Sequence, residues 1–193
     1  MLRPGFLKKR FQAYVENYRQ EKEIRQAGMT LYRAVRDEHT KLEDIARAAE
    51  KITGILPDDI IDDILLAALS RDDADIFNLV LDKLKNGDAT ASLTARHSSA
   101  MELSLSFSRK SLLYAAIEQN AENIALMLAN NPRVDPSISG HASTRWYGHG
   151  YMLADETQYK TPIAFASEKG MLTVLKALEK RSAIQVKQDI SPR

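Results

Sequence analysis

One seven-residue pattern occurs four times along this chain, and it limits the possible folds more than any other feature. Aligned without gaps, the segments are Met29-Thr30-Leu31-Tyr32-Arg33-Ala34-Val35, Asp63-Ile64-Leu65-Leu66-Ala67-Ala68-Leu69, Ser111-Leu112-Leu113-Tyr114-Ala115-Ala116-Ile117 and Thr161-Pro162-Ile163-Ala164-Phe165-Ala166-Ser167. Each has an aliphatic third residue and an alanine sixth. Three residues beyond each segment stands Glu38, Asp72, Asn120 or Gly170, and the last three tolerate a left-handed turn. A second helical stripe follows: Leu42 and Ile45, then Ile76, Leu79, Val80 and Leu84, then Ile124, Met127 and Leu128, then Leu172, Leu175 and Leu178. Each unit therefore reads as helix, tight turn, helix. One short helix pair cannot bury its apolar face alone, so such units must stack, and the alanines let neighbouring backbones approach closely. Thr161 as N-cap, Pro162 at the first helical position and Gly170 at the turn mark the last unit.

Composition agrees with a stacked, folded array. The chain has 193 residues, 44% of them hydrophobic, and 27 Lys and Arg against 26 Asp and Glu. The net charge of +1 provides no global field of the kind a nucleic-acid binder shows. There is no cysteine, which excludes disulfides, thiolate zinc sites and cysteine nucleophiles. The longest apolar runs, Ile64 to Leu69 among them, are far short of the ~20 residues that cross a bilayer. With polar residues where a secretory signal needs an apolar core, the expectation is a soluble, cytoplasmic protein.

Apolar residues at helical spacing run through almost the whole chain, and strand-like alternation is confined to Met101 to Phe107, so the expected class is all-α. Before the first unit, Leu7, Phe11, Tyr14, Val15 and Tyr18 form one stripe of a helix that Gly28 is expected to stop. Terminal units must hide an open apolar face, so residues 1–28 read as a capping helix, with Phe11, Tyr14 and Tyr18 turned onto the first repeat. The same segment carries Arg3, Lys8, Lys9, Arg10, Arg19, Lys22 and Arg25, which would also suit a membrane surface or an acidic partner. Residues 183–193 read as a frayed tail.

The stretch Thr161-Pro162-Ile163-x-x-Ala166-Ser167-x-x-Gly170-x-Leu172-x-Val174-Leu175-x-x-Leu178 resembles the ankyrin-repeat signature, and the units starting at 111, 63 and 29 resemble it with decreasing fidelity. The resemblance spans residues 29–182 and implies an ankyrin-like helix-turn-helix solenoid. The histidine usual at the fourth position is replaced by Tyr32, Leu66, Tyr114 and Ala164. Unit starts lie 34, 48 and 50 residues apart, against about 33 for the ordinary period, so long fingers are expected at 85–110 and 130–160. The resemblance further implies noncovalent protein binding through a concave face that includes Arg36, Asp37, Ser70, Arg71, Glu118, Gln119, Glu168 and Lys169. The same scaffold would equally serve a bacterial effector delivered into a host cell, or an antitoxin-like inhibitor.

The second insert gathers Arg145, Trp146, Tyr147, His149 and Tyr151, side-chain types found as interface anchors. With Arg71, Glu118 and Gln119 they form the expected partner-binding set. The alternative is that the rings fold back to cover the edge of the stack. A less favoured reading makes 141–159 part of an enzyme pocket. Catalytic signatures are lacking: there is no Gly-x-Ser-x-Gly elbow and no phosphate-binding glycine loop. His141, His149, Asp155 and Glu156 have no ligand spacing that fixes a metal. The acid pairs Asp58-Asp59, Asp62-Asp63 and Asp72-Asp73 offer general acid and base work as one reading, but helix chemistry explains them better, with Asp58-Asp59 opening a helix and Asp72-Asp73 at the turn into the next. No catalytic residue, metal or cofactor is expected.

Overall fold

The computed structural model describes residues 4–99, 104–138, 140–148, 151–158 and 160–189. Eight helices are found among them: α1 (Pro4–Arg36), α2 (Leu42–Glu50), α3 (Asp58–Arg71), α4 (Ala74–Lys85), α5 (Leu112–Glu118), α6 (Glu122–Asn130), α7 (Pro162–Glu168) and α8 (Leu172–Asp189). The local signals act as the sequence requires. Thr161 accepts from the Ala164 amide and Ser111 from the Tyr114 amide, capping α7 and α5 at the same repeat position. Asp72, Asn120 and Gly170 all adopt positive φ, at 51°, 58° and 71°, in the slots where a left-handed turn is expected. Glu38, in the fourth slot, is not among the positive-φ residues.

The helices pack in two rows, α1 to α3 to α5 to α7 and α2 to α4 to α6 to α8, with each pair also touching across the rows. The repeated aliphatic and alanine positions fill the seam between neighbours: Leu31, Leu65 and Leu113 are fully buried, as are Ala68, Ala116 and Ala166. With Ile45, Phe77, Ile124, Val174 and Leu178 they belong to one continuous core. Where the resembled family has a histidine, Tyr114 is buried and stacks on Phe165 of the next unit, ring centroids 4.8 Å apart.

Polar ties join the units at the turns. Arg71 donates to the carbonyls of Val35, Asp37, Glu38 and Thr40 at 2.8–3.4 Å, closing the open end of α1. Asp72 reaches forward and accepts from the Asn123 and Ile124 amides at the start of α6. Lys169, at the repeat position of Arg71, donates to the Glu118 carbonyl and to Asn120 Oδ1. Arg181 binds the carbonyls of Ala129 and Val134.

The two inserts form strands: β1 (Ser92–Ser99), β2 (Ser104–Ser111), β3 (Gly140–Gly148) and β4 (Tyr151–Gln158). All pair antiparallel in the order β1-β2-β3-β4, so the fingers merge into one sheet. The chain is mostly helical, as expected, but strand structure extends well beyond the Met101 to Phe107 alternation. Gly140 opens β3 opposite Lys110 at φ 127°, and a Cβ there would lie 1.9 Å from the Arg109 carbonyl oxygen. Only glycine fits where the second finger joins the first.

Three expectations are corrected. Gly28 does not stop the first helix: α1 runs through it, and the glycine is buried where a Cβ would meet Leu56 Cδ2 at 2.7 Å and Ile60 Cγ2 at 2.9 Å. Its role is close helix approach, not termination. Phe11, Tyr14 and Tyr18 do not cover the first repeat, because the part of α1 that carries them is exposed and, among the described side chains, the stack buries α1 from Ile24 onward. The stretch 183–189 continues α8 as helix.

Candidate functional site

The roots of the fingers stand against α3 and α5, and a cavity of about 410 Å³ opens there. Asp59, Asp62, Asp63 and Leu66 of α3 line one side, Leu93, Thr94, Ser108 and Lys110 of the strands another, and Glu118 and Gln119 complete it. The chain arrives here through two similarly built turns. Asp88 accepts from the side chain and amide of Thr90, Asp135 from those of Ser137, and these hydrogen bonds hold both carboxyls below the usual carboxylate range.

Lys110 Nζ lies 2.7 Å from both carboxylate oxygens of Glu118, and Lys160 Nζ lies 2.6 Å from Glu168 one unit later. The two pairs are repeat equivalents that link the residue before a first helix to the end of that helix. In the preceding unit the equivalent of these lysines is Asp62, and the equivalent of the glutamates is Ser70. Asp62 is 5% exposed. Its Oδ2 accepts from the Thr94 amide at 2.7 Å, which ties α3 to β1, while Oδ1 is shut from solvent without a partner. Burial pushes the Asp62 carboxyl above its ordinary range, outweighing the Thr94 amide and the charge of Lys85.

The expected binding residues separate into three places. Arg71 is committed to the carbonyls at the end of α1, and its role is to join units. Glu118 and Gln119 line the cavity as first-helix positions should, Glu118 gripped by Lys110 and Gln119 exposed. Arg145, Trp146, Tyr147 and Tyr151 lie toward the far end of the sheet: Arg145 pairs with Leu105 and Ala154, Trp146 with Ser104 and Leu153, Tyr147 with Met152, and Tyr151 with Gly148. Seven strand residues separate that level from Ser111, about 23 Å of strand rise. His149 falls outside the described residues. The seven described residues thus form a root group, a distal group and one structural clamp, not a single patch.

Of the other first-helix positions, Asp37 accepts from His39 and Thr40, and its carboxyl is lowered chiefly by the His39 amide. Ser70 bonds the Ala67 carbonyl, and Lys169 spans to the neighbouring turn. The sequence offers Asp62 only as half of the Asp62-Asp63 pair, for which helix chemistry is the expected explanation, whereas the sharper signal is an acid standing where two other units carry lysine. Among the described residues no group of three or more His, Asp and Glu is arranged to hold a metal, and no helix is long and apolar enough to cross a membrane. Comparison with protein-family models, curated proteins and solved structures finds no match to this chain.

Proposed function

We propose that the chain is an ankyrin-type helical-repeat module that binds a protein partner noncovalently, using the finger sheet and the cleft at its root. One observation carries this reading: two inserts separated by a whole helix pair in sequence zip into one four-stranded sheet planted beside the first-helix row. Joining also steadies the fingers, since a lone two-stranded hairpin is marginal, and the outcome is an extended four-stranded platform held beside the stack. The sheet presents the backbone edges of β1 and β4, to which no described strand pairs, and such edges accept a partner strand. At the root, Asp59, Asp63 and Glu118 outnumber Lys110, which favours a partner segment carrying a basic side chain.

Asp62 supports binding over catalysis. A general acid or base must lie within hydrogen-bond reach of substrate, whereas Asp62 spends one oxygen on the Thr94 amide and seals the other from solvent.

Affinity capture from a homologous lysate tests the proposal. A reproducible interactor should be retained by the native chain and by Lys176→Glu, on the exposed surface of the second-helix row, and lost by the Trp146→Ala/Tyr147→Ala double variant. An interactor held equally by the double variant, with unchanged far-UV circular dichroism, would overturn it.

A further inference from the structure

Residues 10–23 of α1 bury no side chain against the stack. Every described side chain from Arg10 to Glu23 is exposed, and the core begins at Ile24. These fourteen residues span roughly 21 Å of helix. Phe11, Tyr14, Val15 and Tyr18 are 68%, 68%, 41% and 64% exposed, and their spacing of three, four and seven residues puts them on one face.

The charges around that face are sorted. At 100° per residue Arg10 and Arg19 border the stripe on opposite sides, and Lys22 and Arg25 continue it over the next turns. Glu16 and Glu23 fall on the far side of the helix. The single acid on a border, Glu21, is paired with Arg25 at 3.3 Å. An aromatic ridge with cations along both borders and its other acids turned away determines what can cover it. A second copy would bring these basic borders against their own likeness, and they would repel. A protein groove would have to supply both an apolar trough and acidic walls around a convex, isolated ridge. An anionic bilayer supplies both at once: tyrosine and phenylalanine rings suit the headgroup level, and flanking Lys and Arg reach the lipid phosphates and carboxylates.

We propose that the N-terminal part of α1 lies in the plane of an anionic lipid surface, its aromatic ridge in the headgroup region, and tethers the repeat stack there. This is independent of the partner-binding reading, since the ridge and the finger sheet share no residue.

Vesicle flotation of the full chain tests it, comparing phosphatidylcholine vesicles with vesicles containing about 30% phosphatidylserine. The native chain should float with the anionic vesicles only, and less so at high salt. Arg19→Glu/Lys22→Glu should weaken partitioning by about tenfold or more. Phe11→Ser/Tyr14→Ser/Tyr18→Ser should abolish it. Both variants change exposed positions and should keep native helicity, and Trp146→Ala/Tyr147→Ala should float like the native chain. Failure of the native chain to float with anionic vesicles would overturn the proposal, as would flotation unaffected by either α1 variant. A dimer in light scattering that the serine variant dissolves would assign the ridge to a second copy, and a captured protein lost only with that variant would assign it to a protein groove.

Discussion

Gly28→Ala measures how closely α1 approaches the second unit. The site is helical, so the added methyl carries no backbone strain and by propensity alone would stabilise by about 1 kcal/mol. Packing opposes this. The new Cβ would lie 2.7 Å from Leu56 Cδ2 and 2.9 Å from Ile60 Cγ2, where carbon contacts settle near ~3.5–4.0 Å. Neither neighbour can retreat easily: Leu56 and Ile60 are 4% and 7% exposed, and the branched Cγ2 turns only with χ1. Overpacking of this kind costs ~1–3 kcal/mol, so the net effect is a loss of about 1 kcal/mol, or roughly 2–4 °C in Tm for a chain of this size. In a Leu56→Ala background the nearer clash is gone, and the same glycine substitution should become neutral or stabilise by up to ~1 kcal/mol as propensity prevails. Urea unfolding of the four proteins, followed by far-UV circular dichroism, gives both steps. An identical effect in the two backgrounds, or a stabilised single variant, would refute the packing argument.

Three further outcomes follow from the same geometry. The folded-state pKa of Asp62 is raised, so the wild type pays its burial penalty progressively as pH climbs from the ordinary carboxyl range through the raised value, and bears it in full above. Asp62→Asn keeps an acceptor for the Thr94 amide and removes the buried charge, so it should be the more stable protein at neutral pH, the gap closing as pH falls into the ordinary carboxyl range, in unfolding measured across pH. Arg71→Met keeps the alkyl stem but removes the donor to four carbonyls, and should cost about 1–2 kcal/mol with faster amide exchange around 35–42. Because the chain has no native cysteine, Ser108→Cys with Ala142→Cys, cross-strand partners on β2 and β3, should crosslink on mild oxidation, whereas Ser108→Cys with Ser143→Cys should not.

The helix pairs are legible in the sequence because their determinants are local and repeat: the buried Leu-x-x-Ala spacing, the Thr161 cap, and the turn residues Asp72, Asn120 and Gly170. What escapes is set by partners distant in sequence. Gly28 carries the residue type of a helix stop, and only Leu56 and Ile60 across the interface reveal that it marks close approach. The strand Ser92–Ser99 reads Ser-Leu-Thr-Ala-Arg-His-Ser-Ser, too polar for alternation to show, and its pairing depends on β2 and through it on an insert a whole unit away. The placement of the candidate binding residues is partly legible. Glu118 and Gln119 line the root cleft, but Arg71 is drawn to the carbonyls of the unit before it. The aromatic stripe of α1 is visible as a stripe, yet whether it faces the stack depends on how far the helix outruns its neighbours.

Hydrogen–deuterium exchange of the chain, free and bound to a captured partner, tests the central claim most directly. Binding through the finger sheet and its root predicts protection in 92–99, 104–111, 140–148 and 151–158, with a smaller effect at the end of α5. Protection confined to the second-helix row, α2, α4, α6 and α8, would contradict it.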